Sequence, residues 1–146
     1  MNRRADRGRS LEELERDSWP TPAADASRLV VTAHALRRKP IGELTVEDLR
    51  LLIRQNVGLP QLLPLAVEVL RHNPLAEGDL YEGDLLAAVL TRNPAVWHER
   101  PDLGRELAAI VTGLDELPPG PAQEVGRADF LLRPARPGAA DRLSAP

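Results

Sequence analysis

Apolar residues recur along the middle of the chain at helical spacing, and most recurrences are bounded by residues that start or stop helices. Ser10 opens the first. Its hydroxyl can accept from the amide three positions on, while Glu13 reaches back to the Ser10 amide, a reciprocal capping box. Leu11 and Leu14 share the inward face, and the segment ends before Trp19-Pro20. Ser27 caps the second helix, with Leu29, Val30, Ala33 and Leu36 at helical spacing and Pro40 as terminator. Arg37, Arg38 and Lys39 put positive charge on its last turn, where the helix dipole favours it, and read as a solvated terminus. Thr45 and Asp48 repeat the capping box in weaker form ahead of Leu49, Leu52, Ile53 and Val57. Gly58 stands where a left-handed C-cap residue belongs.

Leu59 to His72 is the most apolar segment, which predicts a helix enclosed by its neighbours, with Leu65 and Val69 buried. Pro64 lacks an amide hydrogen, so regular helix is expected to begin near it, with Leu59 to Leu63 as an irregular turn. Asn73-Pro74 breaks the chain, and residues 77–84 form a loop with two glycines. Asp84 is placed to cap a helix carrying Leu85, Leu86, Val89 and Leu90. Asn93-Pro94 opens a short turn with Val96 and Trp97, and Trp97 reads as core. Leu103, Leu107, Ile110, Val111 and Leu114 complete a clean amphipathic helix. No strand-like alternation competes with these signals. The pattern predicts an all-α fold, a compact bundle of about five to seven short helices.

Composition sharpens the boundaries. Residues 1–9 carry four Arg against Asp6, and residues 118–146 are rich in Pro, Gly, Ala and Arg. Both read as flexible tails around a helical domain over 10–117, with disorder the default around Phe130-Leu131-Leu132. The central residues 10–116 hold eleven basic against eighteen acidic side chains, a net −7, although the whole chain is only −3. Phosphate contacts need clustered cations, so direct nucleic-acid binding is not expected, and a basic protein partner is. The chain has no Cys, which removes disulfides and thiolate metal sites. Charged Met1 to Asp6 leads into no apolar run, and no stretch reaches the ~20 apolar residues of a membrane span. A cytoplasmic protein without a membrane segment is the expectation.

Catalytic templates fail one by one. His34, His72 and His98 fall on three different helices without ligand spacing, and His98-Glu99 lacks the second His of H-E-x-x-H. None of the four serines stands in a G-x-S-x-G elbow, and no glycine-rich phosphate loop is present. The sequence predicts no enzyme, no cofactor and no metal. The densest feature is the loop bearing Glu77, Asp79, Glu82 and Asp84, four carboxylates in eight residues, with Tyr81 among them. The EF-hand pattern is absent there, so metal coordination gives way to two readings: a solvated loop, or an acidic docking surface with Tyr81 as an anchor. Glu77, Asp79, Tyr81, Glu82 and Asp84 are therefore the candidate partner-binding residues, and the Gln55–Asn56 corner is the second candidate.

A resemblance narrows the partner. Ser10-Leu11-Glu12-Glu13-Leu14-Glu15 with Trp19, and the run Arg38-Lys39-Pro40-Ile41-Gly42-Glu43-Leu44-Thr45-Val46-Glu47-Asp48-Leu49-Arg50, resemble a family of immunity proteins of contact-dependent growth inhibition systems. So do Gln55-Asn56-Val57-Gly58-Leu59-Pro60, Leu63-Pro64-Leu65-Ala66, Asn73-Pro74-Leu75-Ala76-Glu77-Gly78-Asp79 and Gly83-Asp84-Leu85-Leu86-Ala87-Ala88-Val89-Leu90, in the same order, over roughly Ser10 to Arg92. The chain departs from the family pattern at Gln61 and Leu80, where an aromatic is common, and at Glu82, where Pro is common. These departures bear on which partner this member recognises. The resemblance implies an immunity protein that binds a cognate toxin domain and occludes its active site or substrate surface. Many such toxins are nucleases with basic surfaces, and the −7 of the central segment is complementary to them. The competing class is a helical adaptor or regulatory domain that holds a partner helix and has no connection with toxins.

Overall fold

Both capping boxes form. In a computed structural model that describes residues 7–114 and 118–122, the Ser10 amide donates to Glu13 Oε1 at 3.0 Å and the Glu13 amide to Ser10 Oγ at 3.2 Å. Thr45 and Asp48 do the same at 3.0 and 3.1 Å, and Lys39 Nζ also reaches Asp48 at 3.0 Å. These caps open α1 (Leu11–Glu15) and α3 (Val46–Arg54). Ser27 opens α2 (Arg28–Leu36), Gly58 precedes α4 (Leu59–His72), and Gly83 precedes α5 (Asp84–Leu90). Asn93 caps α6 (Pro94–Glu99), and α7 (Pro101–Thr112) follows at once. A 3-10 turn spans Ile41–Glu43, and residues 119–122 make a further helical turn. The described residues contain no strand, so the fold is the all-α bundle expected.

The core is built around α5, in which every residue from Asp84 to Leu90 is buried. It packs on α3 and α4, and α4 in turn packs on α7, while α2 leans on α3. The apolar run of α4 had marked it as the enclosed helix. Instead it buries one stripe, Leu62, Leu63, Ala66, Val67 and Leu70. Leu65 and Val69, expected inside, lie on the flanks of that stripe and are half-buried. The helix is also regular from Leu59, so the expected irregular turn before Pro64 does not occur. Pro64 costs a single intrahelical bond, and the buried stripe runs on both sides of it, so packing carries the helix through.

The ends of the domain also differ from expectation. The basic tail assigned to residues 1–9 is held at its far end: the Ile41 and Gly42 amides donate to the Arg9 and Arg7 carbonyls, each at 2.9 Å, and Arg7 pairs with Glu68. Residues 118–122, assigned to the disordered tail, pack on the loop before α5, and Pro121 is buried. Residues 1–6 and 123–146, including Phe130-Leu131-Leu132, lie outside the described residues. No helix among the described residues is long and apolar enough to cross a membrane.

Gly58 adopts the left-handed conformation (φ 65°) for a second reason besides the turn. A Cβ there would stand 2.7 Å from both methyls of Leu11, itself fully buried, so α1 and the α3–α4 corner meet at a distance only glycine allows.

Candidate protein-binding loop

The acidic loop takes its shape from a carboxylate that points inward. Asp84 is the first residue of α5, not its N-cap, because Gly83 turns the chain with φ 85°. Its side chain is 1% exposed and accepts from the Gly78 amide at 2.7 Å, the Leu80 amide at 3.0 Å and, more weakly, the Tyr81 amide at 3.4 Å. This corrects the assignment of Asp84 to the docking surface. Its acceptor capacity is spent on three backbone donors of the loop.

A second carboxylate comes from another helix. Glu47 Oε1, on the first turn of α3, accepts from the Asp79 amide at 2.8 Å. The Arg50 guanidinium donates to Glu47 at 2.7 and 2.5 Å and lies 3.8 Å from Asp84 Oδ2, so one cation bridges both loop-organising acids. The Arg50 hydrogen bond holds the Glu47 carboxyl below its ordinary pKa against the opposing effect of burial, and the Asp79 amide adds to it. Glu47 in turn raises the Arg50 pKa. Gly78 approaches these oxygens so closely that a Cβ would stand 2.6 Å from Glu47 Oε1 and 3.0 Å from Asp84 Oδ2.

With the backbone tied inward, Glu77, Asp79 and Glu82 are left exposed on the outer side, together with Leu80 at 58%. Tyr81 is half-buried, its ring lying against Gly120. Of the five loop residues singled out in the sequence, three therefore form one acidic rim, Tyr81 faces partly inward, and Asp84 is internal. Gln55 and Asn56 are exposed at the opposite end of α3, about 13 Å away along nine helical residues, and do not join the loop. Asn56 is left-handed (φ 59°), and its Oδ1 accepts from Arg92 Nη1 at 2.8 Å, which anchors the corner to the end of α5.

A second surface escaped the sequence reading. Leu29, Val30 and Val31 on α2 are 40%, 41% and 48% exposed, and a groove of about 250 Å³ runs past Trp19, Leu29, Val30, Ala33, His34, Gln55 and Val57. Beneath it Arg37, expected to be solvated, is 1% exposed. Its guanidinium lies 4.1 Å from the centre of the Trp19 ring and donates to Glu15 Oε1 and the Asp17 carbonyl, both at 2.7 Å. The signal was present in the spacing: Ala33, Leu36 and Arg37 occupy i, i+3 and i+4, one face of the helix. Trp19 meets His34 edge-on at 4.9 Å. His34 and His72 each contact a carbonyl one turn back in their own helices, Val30 at 2.8 Å and Glu68 at 3.0 Å. No group of three or more metal-ligating side chains assembles among the described residues.

Comparison with known families gives one result that bears on this geometry. A family model described as CDI immunity proteins matches residues 13–107 of the 146, from α1 into α7 and across the acidic loop. A comparison with curated proteins finds no match.

Proposed function

From the family of CDI immunity proteins, to which this chain belongs, we propose that the protein binds a cognate toxin domain and neutralises it by covering its active site or substrate surface. The observation that carries this reading is the outward set of Glu77, Asp79 and Glu82 on a loop whose backbone is tied down by Asp84 and Glu47. A pre-shaped acidic rim loses little conformational freedom on binding and attracts a basic surface at long range. We read the partner as a toxin with a basic substrate groove, a nuclease above all, and the action as occlusion without turnover in the cytoplasm. Leu80, exposed at the centre of the rim, supplies the apolar contact, and Tyr81 supports it from within.

The test is charge reversal. In a variant with Glu77, Asp79 and Glu82 changed to Lys, helicity stays at the wild-type level because all three side chains are exposed and lie outside the helices. Affinity for the toxin domain encoded beside this gene, measured by calorimetry, falls by at least about 2 kcal/mol, the usual loss when a desolvated interfacial charge is removed. Rescue of cells expressing that toxin falls with it. The adaptor reading draws on the exposed face of α2. Under that reading binding survives the three lysines and fails on Val30→Asp, an outcome that would move the interface to the Trp19 groove.

A further inference from the structure

The acidic loop is held from within by the Asp84 and Glu47 carboxylates and is also touched by a piece of chain far along the sequence. We propose that residues 118–122 are a buttress for the loop, a positioning element that keeps Glu77, Asp79 and Glu82 in their displayed arrangement. The significance for toxin binding rests on the reading of the loop as the contact surface. The buttress itself lies outside the residues matched by the family, which end at Leu107.

Two reciprocal close approaches carry the proposal. A Cβ on Gly83, in the loop, would stand 2.5 Å from Cγ of Pro121 and 3.4 Å from Cδ2 of Leu75. A Cβ on Gly120, in the distal segment, would stand 2.5 Å from Cε2 and 2.6 Å from Cδ2 of Tyr81. Each segment thus places a glycine where the other places a ring, and any side chain at either glycine would force the two apart. Pro121 is buried by this contact, and the Ala122 amide closes the turn on the Pro118 carbonyl at 3.0 Å.

The loop has a physical need for such support. It contains two glycines, whose freedom in the unfolded state makes ordering costly; carboxylates hold the amides of Gly78, Asp79, Leu80 and, weakly, Tyr81, and beyond these the Gly83 amide reaches the Leu75 carbonyl at 3.2 Å and the Asp84 amide the Tyr81 carbonyl at 3.0 Å. Among the described residues no polar group fixes the Tyr81 ring. The distal segment supplies that restraint at little entropic cost, because Pro118, Pro119 and Pro121 leave it few conformations to lose.

The experiment uses the full chain with Gly120→Ala, which pushes the Tyr81 ring, and separately Pro121→Gly, which removes the ring behind Gly83 and loosens the segment. Amide hydrogen exchange of Gly78, Asp79 and Leu80 is followed by NMR in the toxin-free protein, with the amides of α3 and α4 as internal reference. Exchange in the loop should accelerate on the order of tenfold in both variants while the reference amides keep their rates, the pattern of a local opening. Toxin affinity should fall in parallel. Loop exchange at wild-type rates in both variants overturns the buttress, whatever the affinity. Faster exchange with undiminished affinity, where the three-lysine variant does lose binding, overturns its positioning role. Faster exchange with undiminished affinity in all variants, the lysines included, leaves the buttress standing and removes the loop from the interface.

Discussion

The loop before α5 and the helix α2 invert what their compositions suggest. The loop is polar, rich in glycine and exposed along its rim, yet four of its backbone amides end on two carboxylates from within the fold. The helix is apolar and regular, yet three consecutive aliphatic side chains stand 40–48% exposed, and the arginine at its C-cap, Arg37, is better buried than any of its own apolar side chains. The difference teaches that order follows where buried acceptors and donors find partners, not where hydrophobicity is highest. A single inward carboxylate can organise a loop because several donors converge on it, whereas a helix that leans on one neighbour buries only one side.

The largest effect is expected where that logic is most concentrated. Asp84→Ala removes the acceptor for the Gly78, Leu80 and Tyr81 amides while leaving Arg50 paired with Glu47. Three part-buried donors lose a charged acceptor at once, so the net loss should be about 2–4 kcal/mol. Urea unfolding followed by circular dichroism measures it. A midpoint within error of wild type would show that the inward carboxylate does not organise the loop.

On the α2 side the corresponding substitution is Arg37→Met, which keeps much of the volume and removes the charge. It loses the Glu15 pair, the bond to the Asp17 carbonyl and the Trp19 contact. Glu15 keeps 31% of its side-chain surface exposed and so rehydrates without being stranded. The expected cost is therefore about 1–2 kcal/mol, below that of Asp84→Ala, with the loss read from the same urea titration. An equal or larger cost would reverse the ranking of the two regions.

Much of this arrangement was legible before any coordinates, and the limits have physical causes. Ser10–Glu13 and Thr45–Asp48 announced two helix starts because capping is a local reaction between neighbours in sequence. Trp97, read as core from its place beside Val96 at a helix start, is buried, and of the periodic stripe Leu103 and Leu107 are buried while Ile110, Val111 and Leu114 are half-buried. The inward turn of Asp84 was not legible as such. It depends on Gly83 at φ 85° and on Arg50 and Glu47, which arrive from more than thirty residues upstream. Leu65 and Val69 were misplaced for a different reason: a helix apolar around most of its circumference does not reveal in sequence which stripe its neighbours cover, and packing selects Leu62, Leu63, Ala66, Val67 and Leu70. The three rim acids were singled out by their density, but only the tertiary ties explain why they stand together.

The smallest expected effect concerns pH and separates the two regions again. Glu47 titrates below its ordinary value in the folded protein because Arg50 and the Asp79 amide bind its ionised form. A carboxyl with a lowered folded-state pKa contributes stability above its unfolded value, about 4.3, and loses that contribution as the pH falls through the folded value. Glu47→Gln keeps a side-chain oxygen for the Asp79 amide but cannot hold Arg50 by charge. Near pH 6 it should therefore be less stable than wild type by about 0.5–1 kcal/mol, the range for a pair that retains some solvent contact. The gap should close as the pH falls below the unfolded value and through the lowered folded one, where wild-type Glu47 itself becomes neutral. Urea midpoints of the two proteins between pH 6 and pH 3 measure this, and the Asp79 amide, whose acceptor is Glu47, should lose protection relative to its intrinsic exchange rate over the same acid range in wild type. A gap that stays constant down to pH 3 would mean that the Glu47 contribution is steric and not electrostatic, and that the loop owes its shape to Asp84 and the distal prolines alone.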